Sequence, residues 1–185
     1  MAKHVIYTLG HNGRSFDEFL AILKKFGIQV VVDVRRYPLS KLPWFTREYL
    51  EKVLPMHGIS YVCYTALGAL GIARKVQPFP DIVCTSSPTY RAYVTYLLTN
   101  PEARSCIEQL IEIAREKKTC LMCRERFPWR CHRNYLSDVL KVLGMEIVHI
   151  LDIDRVVIHR GTQCYNYIET KIGTLWSRGI GRSLM

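Results

Sequence analysis

The sequence predicts a single-domain α/β protein, a three-layer sandwich around a mainly parallel sheet of about five strands. Two observations predict it. Short apolar runs alternate with stretches of helical period through residues 5–151, the pattern of strand–helix–strand units joined by right-handed crossovers. The run "VVVDVR" (30–35) is apolar but for Asp33 and its arginine end, as in a parallel strand covered on both faces. The chain's 185 residues suffice for one packed core.

"VIYTLG" (5–10) reads as a buried strand ending in glycine. "SFDEFLAILKKFG" (15–27) reads as a helix: Ser15 and Glu18 form a capping box, Phe19, Leu20, Leu23 and Phe26 form its apolar stripe, and Gly27 stops it. Residues 30–35 give the second strand. "TREYLEKVLPMHG" (46–58) gives a helix with Tyr49, Leu50, Val53 and Leu54 on one side, and "ISYVCYT" (59–65) the third strand. Residues 66–88 lose periodicity and collect Gly, Pro and Ser, which predicts a lid, a binding loop or a disordered segment. Helices follow at 89–98 and 101–118, the second opened by Asn100 and Pro101. "TCLMC" (119–123) is the fourth strand, "WRCHRNYLSDVLKVLG" (129–144) a helix beginning near Pro128, and "EIVHIL" (146–151) the fifth strand. Residues 1–151 form the α/β domain. Residues 152–185 form an extension, with an added strand in "DRVVIHR" and a mobile basic tail in "SRGIGRSLM".

Apolar residues make up 49% of the chain, which excludes a disordered class, and no apolar run is long enough to span a bilayer. The opening "MAKHVIYTLGHNG" reads as a strand and not as a signal peptide, so a cytoplasmic protein without a membrane partner is expected. Seven cysteines without an export signal are expected to be mostly reduced thiols. The 26 Lys and Arg against 16 Asp and Glu give a net charge of +10, which favours a polyanionic partner, nucleic acid and DNA above all. Composition says nothing of oligomeric state.

Ligands of an open parallel sheet bind beyond the carboxyl ends of its strands. Polar residues collect there: His11 and Asn12 after the first strand; Asp33, Arg35, Arg36, Ser40 and Lys41 at and after the second; Cys123, Arg124, Glu125 and Arg126 after the fourth; His149 on the fifth. Asp33 and Glu125 can flank one glycosidic bond, one carboxyl protonating the leaving group and the other activating water. The alternative is structural ion pairing with neighbouring arginines. His11, on a turn, is a candidate general acid or base. Lys41 suits a phosphate contact or a Schiff base. Arg124, Arg126, Arg133 and the following helix N-terminus suit an anion. Trp44, Phe45 and Tyr64 suit stacking on a base. Cys123 and Cys131 are candidate nucleophiles, Cys131 placed in a first helical turn where the dipole favours a thiolate. "CRERFPW" is too bulky for the small-residue loop of a phosphatase or rhodanese, which favours packing roles. The spacing C-x2-C-x7-C-H over Cys120, Cys123, Cys131 and His132 is not a familiar zinc pattern, and residues three apart on a strand face oppositely. No metal and no cofactor is therefore expected. His132 shares a helical face with Tyr135, Leu136, Val139, Leu140 and Leu143 and is expected to pack against the sheet and fix a neighbour by hydrogen bond.

"TLGHN", "VVDVRRYPLSK", "ISYVCYTALGAL", "LMCRERFPWRCHR" and "EIVHI" occur in that order. Together they resemble domain-of-unknown-function family 488 (DUF 488), with its G-H-S turn, D-V-R followed by P-x-S, L-G-G, C-x-E and C-H-R, over residues 7–150. Asn12 stands where the family has serine and Ala69 where it has the second glycine, so that hydroxyl and that backbone freedom do not carry over. The resemblance implies a compact α/β fold and a shared site. It implies little about activity, the family being largely uncharacterised, though some archaeal relatives are linked to removal of oxidised pyrimidines from DNA. The leading expectation is a nucleic-acid-directed hydrolase, an N-glycosylase on a modified or damaged base. The rivals are a cysteine-dependent sulfur or acyl transferase and a non-catalytic nucleic-acid-binding module.

Overall fold

A computed structural model describes residues 4–176. Its single sheet contains β1 (Val5–Gly10), β2 (Val30–Asp33), β3 (Ser60–Cys63), β4 (Thr119–Cys123), β5 (Glu146–Asp152) and β6 (Arg155–Ile158), in the spatial order β3-β2-β4-β1-β5-β6. All neighbours are parallel except the final β5–β6 pair. The helices are α1 (Phe16–Lys25), α2 (Arg47–Met56), α3 (Pro88–Thr99), α4 (Pro101–Glu116), α5 (Arg133–Val142) and α6 (Tyr165–Leu175). Ser15 and Glu18 close the capping box of α1 as expected, and the side chain of Asn100 caps α4. Among the described residues no helix is long and apolar enough to cross a membrane.

Alternation along the strands divides the core into two layers. Leu9, Val31, Cys120, Met122 and Ile150 meet Phe19, Leu23, Leu50 and Leu54 of α1 and α2. Ile6, Val32, Leu121, Cys123 and Ile147 meet α3, α4, α5 and α6. Because β4 fills the place between β1 and β2, the carboxyl ends of those three strands lie side by side.

The strand expected in the extension forms: Arg155–Ile158 folds back antiparallel on β5 and makes the sheet six-stranded. Two expectations are corrected. The extension also carries α6, whose thin stripe of Ile168 and Ile172 lies among Tyr, Thr and Gly and gave little helical signal; the predicted basic tail lies outside the described residues. Residues 66–88 are neither lid nor disordered loop. Leu67, Ile72 and Ile82 are buried in the core. Tyr93 and Tyr96 donate their hydroxyls to the carbonyls of Leu67 and Ala66 at 2.6 and 2.9 Å. A disulfide ties Cys84 to Cys164, just before α6; the other five cysteines are free.

Bridging residues 80 apart removes loop entropy from the unfolded chain, worth up to about 4 kcal/mol. Cys84→Ser should therefore lower unfolding free energy in urea by several kcal/mol. A loss below about 1 kcal/mol would show that packing alone holds the segment.

Candidate functional site at the strand ends

The ends of β1 and β4 are sewn together beyond the sheet. The N–H groups of His11 and Asn12 donate to the carbonyls of Cys123 and Arg124 at 3.1 and 2.9 Å. The main chain of 125–126 then crosses directly over Gly10, where an added Cβ would lie 1.9 Å from the carbonyl oxygen of Glu125. Only glycine permits that crossing. The Glu125 side chain is half-buried, 4.0 Å from Arg124.

Asp33, at the end of β2, is fully buried. One carboxylate oxygen accepts the Arg35 backbone N–H and Nε at 3.1 and 2.9 Å. The other accepts Arg35 Nη2 and the Tyr61 hydroxyl, both at 2.6 Å. Burial alone would lower the Arg35 pKa, but hydrogen bonding and the charge of Asp33 outweigh it and raise it. The carboxylate is thus consumed by its own partners, as in the structural alternative weighed for it above. Burial, and then Asp33, push the Tyr61 phenol well above its usual range.

His11 is also buried. Its ring stacks on Phe45 at 4.3 Å, and Nε2 lies 3.3 Å from Arg35 Nη1. A guanidinium only donates, so Nε2 accepts and the ring is neutral. Burial, helped by the charges of Arg35, Arg124 and Arg133, lowers its pKa to about 3. At neutral pH such a ring has no spare proton to give and little basicity, so it positions Arg35.

A different group gathers beside Asp33. Cys123 Sγ and Cys131 Sγ lie 3.3 Å apart. His132 Nδ1 lies 3.8 Å from the first and 3.7 Å from the second. His132 Nε2 donates to the Val34 carbonyl at 3.1 Å, and the ring stands edge-on to Tyr93. Because a carbonyl only accepts, Nε2 carries a proton, and in the neutral ring the Nδ1 lone pair faces the sulfurs; burial alone would lower the His132 pKa, but Cys123 outweighs it and raises it. The role foreseen for His132, fixing a neighbour from the sheet-facing side, holds. The helix boundary does not. A 3-10 turn covers Pro128–Arg130, Cys131 is extended (φ −135, ψ 147), and α5 starts only at Arg133. That extension carries the sulfur of Cys131 to Cys123. Burial raises its pKa, but the Cys123 hydrogen bond, the Arg133 charge and the Arg133 backbone N–H outweigh it, giving about 7. Hydrogen bonding to Cys131, then burial, push Cys123 up. Cys120 does face the opposite layer, as strand geometry requires.

The cations are unevenly matched. Arg133 is wholly buried; its Nη2 donates to the Arg126 carbonyl at 2.9 Å, while Nε and Nη1 have no partner among the described residues. Arg126 is paired with Asp152 at 2.6 Å. Arg124 and Lys41 are exposed, Arg36 reaches the Thr65 carbonyl at 3.4 Å, and the Ser40 hydroxyl accepts from the Leu42 N–H. Arg14, which sequence reasoning passed over, is buried and ties the carbonyls of Gly10 and Leu151 together. Among the proposed stacking residues, Phe45 is fully buried and unavailable, and Trp44 and Tyr64 are half-buried. An exposed pair was missed: Phe127 and Trp129 stack with centroids 5.1 Å apart and planes at 18°. The signal was the aromatic–proline–aromatic spacing in "RFPWR".

Beneath the site runs a buried chain. Thr8 Oγ1 meets His149 Nδ1 at 2.7 Å, His149 Nε2 meets His159 Nδ1 at 3.0 Å, and His159 Nε2 meets Asp138 at 2.8 Å. It turns His149 inward, away from the strand ends.

Two predictions follow from these burials. Asp33→Asn leaves Arg35 buried without its counter-charge and should cost about 3–5 kcal/mol in urea unfolding; a loss under about 1 kcal/mol would contradict the structural assignment. The second concerns acid. Burial, with the charges of His159 and Arg133, lowers the His149 pKa to about 3. An unfolded histidine titrates near 6.5, so the unfolded chain binds more protons between these values. The stabilisation is present above pH 6.5 and lost as pH falls toward 3. His149→Gln should therefore flatten the decline in stability between pH 6.5 and 5 by about 1.4 kcal/mol per pH unit. Parallel profiles would contradict it.

Comparison with known proteins places this geometry in a family. No curated protein and no solved structure matches the chain. The family described as "Domain of unknown function DUF488" matches over residues 15–140. That stretch holds β2, β4, the loop after it and the Cys123–Cys131–His132 cluster, and covers more than half of the chain. The chain belongs to the DUF488 family.

Proposed function

We propose that this chain is a nucleic-acid-directed hydrolase acting on a modified or damaged base, with its reacting centre at the Cys123–Cys131–His132 cluster and not at an Asp33–Glu125 pair. The observation that carries the reading is a juxtaposition on one stretch, residues 123–133. It joins the cluster, an exposed aromatic pair and a buried arginine with unpaired N–H groups. A base must leave its stack to be acted on, and it is then held by aromatic stacking. Phe127 and Trp129 supply that platform, and Arg124 with Arg130 lies beside it for phosphate. The net charge of +10 supports DNA as the partner. Glu125, two residues after Cys123 and with solvent access, serves as the acid–base group. Five free cysteines of seven support a cytoplasmic setting, with the Cys84–Cys164 bridge as the exception.

One observation favours a second reading. A thiol 3.3 Å from Cys131 is placed to attack the carbonyl of an acyl group carried there, taking up the acyl group as the Cys131 thiolate leaves, a step open to a cysteine-dependent acyl transferase.

Single-turnover assays on oligonucleotides bearing modified bases test both. Cys131→Ser and Glu125→Gln should each lose roughly 10²-fold or more in turnover. Trp129→Ala should weaken binding of single-stranded DNA by about 1–3 kcal/mol with little change in the salt slope. A covalent adduct on Cys131 selects the transferase. Full turnover in Cys131→Ser overturns the cluster as reacting centre.

A further inference from the structure

We infer that Cys123, Cys131 and His132 form a three-ligand centre for a zinc-like divalent cation, with a fourth position open to water or substrate. The three donor atoms lie within 4.8 Å of one another. Their separations are 3.3 Å between the sulfurs and 3.7 and 3.8 Å from each sulfur to Nδ1. A tetrahedral zinc with bonds of about 2.3 Å to sulfur and about 2.0 Å to nitrogen sets an edge of about 3.8 Å between sulfurs and about 3.5 Å from sulfur to nitrogen. The triangle is thus near one face of such a tetrahedron, the sulfur edge needing to open by about half an ångström and the sulfur–nitrogen edges to close by about 0.2–0.3 Å.

Two further features point the same way. The imidazole Nδ1 stands almost equally far from both sulfurs, as a third ligand of one ion would. Here the ring is locked with its lone pair toward them, because Nε2–H is held by the Val34 carbonyl. A backbone carbonyl on the distal nitrogen is the usual support of a metal-bound histidine. Neighbouring residues 131 and 132 can both ligate because Cys131 is extended while His132 has already turned into the helical region. The expectation of no metal rested on an unfamiliar spacing and on Cys120 diverging from Cys123; Cys120 does point away, and the remaining three donors come from one strand end and one helix start. No other His, Cys, Asp or Glu among the described residues joins the group. Structural zinc sites are closed by four protein ligands, whereas three ligands and an open position characterise catalytic ones.

The role of the centre rests on the reading of the cluster as the reacting site, but its existence is measured with metal alone. The full chain, stripped of metal by a chelator under reducing conditions, is titrated with Co(II) and then displaced with Zn(II). One equivalent should bind and produce a thiolate-to-cobalt charge-transfer band with tetrahedral d–d absorption. Adding imidazole should shift those bands through the open position. Cys123→Ser, Cys131→Ser and His132→Ala should each weaken affinity by more than about 100-fold, beyond what loss of a supporting hydrogen bond costs. Cys120→Ser should bind as the native chain does. If a variant fails to fold, the native spectrum decides. Absence of the charge-transfer band, or native affinity in Cys123→Ser, overturns the site. An imidazole-insensitive spectrum overturns the open position. Metal binding without any effect of Cys131→Ser on turnover would leave the centre standing and remove the proposed function. Loss of turnover without metal binding would do the reverse.

Discussion

The turn after β2 holds the strand ends in place, and the Asp33–Arg35 ion pair holds the turn. A buried pair offsets its desolvation only when its geometry is close and its remaining hydrogen-bonding groups are filled. Here Asp33 meets Arg35 through both the main chain and the guanidinium, and Tyr61 of the neighbouring strand fills what is left. Two consequences reach the site. Arg35 presents a guanidinium N–H to His11, which fixes that ring as a neutral acceptor. The clamp also fixes Val34 between its two partners, so the Val34 carbonyl faces His132 and sets that ring's tautomer. The acidic residue that looks most catalytic in the sequence does its work one step away from the reacting atoms.

Electrostatics follow the same division. Asp33 and Arg35 neutralise one another, and Arg14 and Arg126 share Asp152. Arg133 is left buried with a single carbonyl partner. A buried cation of that kind favours an anion nearby, and Cys131, two residues earlier, is the acidic group whose ionisation Arg133 promotes. Burial, and then the same positive field, makes protonation of His11 and His149 unfavourable. A cluster with one acidified thiol beside a buried arginine that has a single carbonyl partner suits both a soft cation in the cluster and a phosphate outside it.

Periodicity revealed much of this. The alternation of Cys120 and Cys123, the capping box at Ser15 and the helical face of His132 were legible because each depends on residues close in the chain. The positions of the polar residues at strand ends were legible for the same reason. What hid was set by contacts across the chain. Asp33 offers no sign that Tyr61 will complete its shell. Residues 66–88 look mobile because their order comes from Tyr93, Tyr96 and Cys164, all supplied by helices or turns far along the chain. Cys131 was placed inside a helix because Pro128 reads as a first helical position; the extended residue before α5, which brings the sulfurs together, leaves no local signature. Phe127 and Trp129 drew no role from the sequence because exposure, which the fold decides, is what makes them available for stacking.

The central claim is that the Asp33–Arg35 clamp, acting through Val34, aims His132 Nδ1 at the two thiols. Histidine-selective ¹⁵N spectra of the metal-free native and Asp33→Asn chains, under conditions where both are folded, test it most directly. The native chain should show His132 protonated at Nε2, with that proton slow to exchange, and unprotonated at Nδ1. Asp33→Asn should release it, with fast exchange at Nε2 and mixed tautomers. A native His132 protonated at Nδ1, or an unchanged His132 signal in Asp33→Asn, would contradict the account.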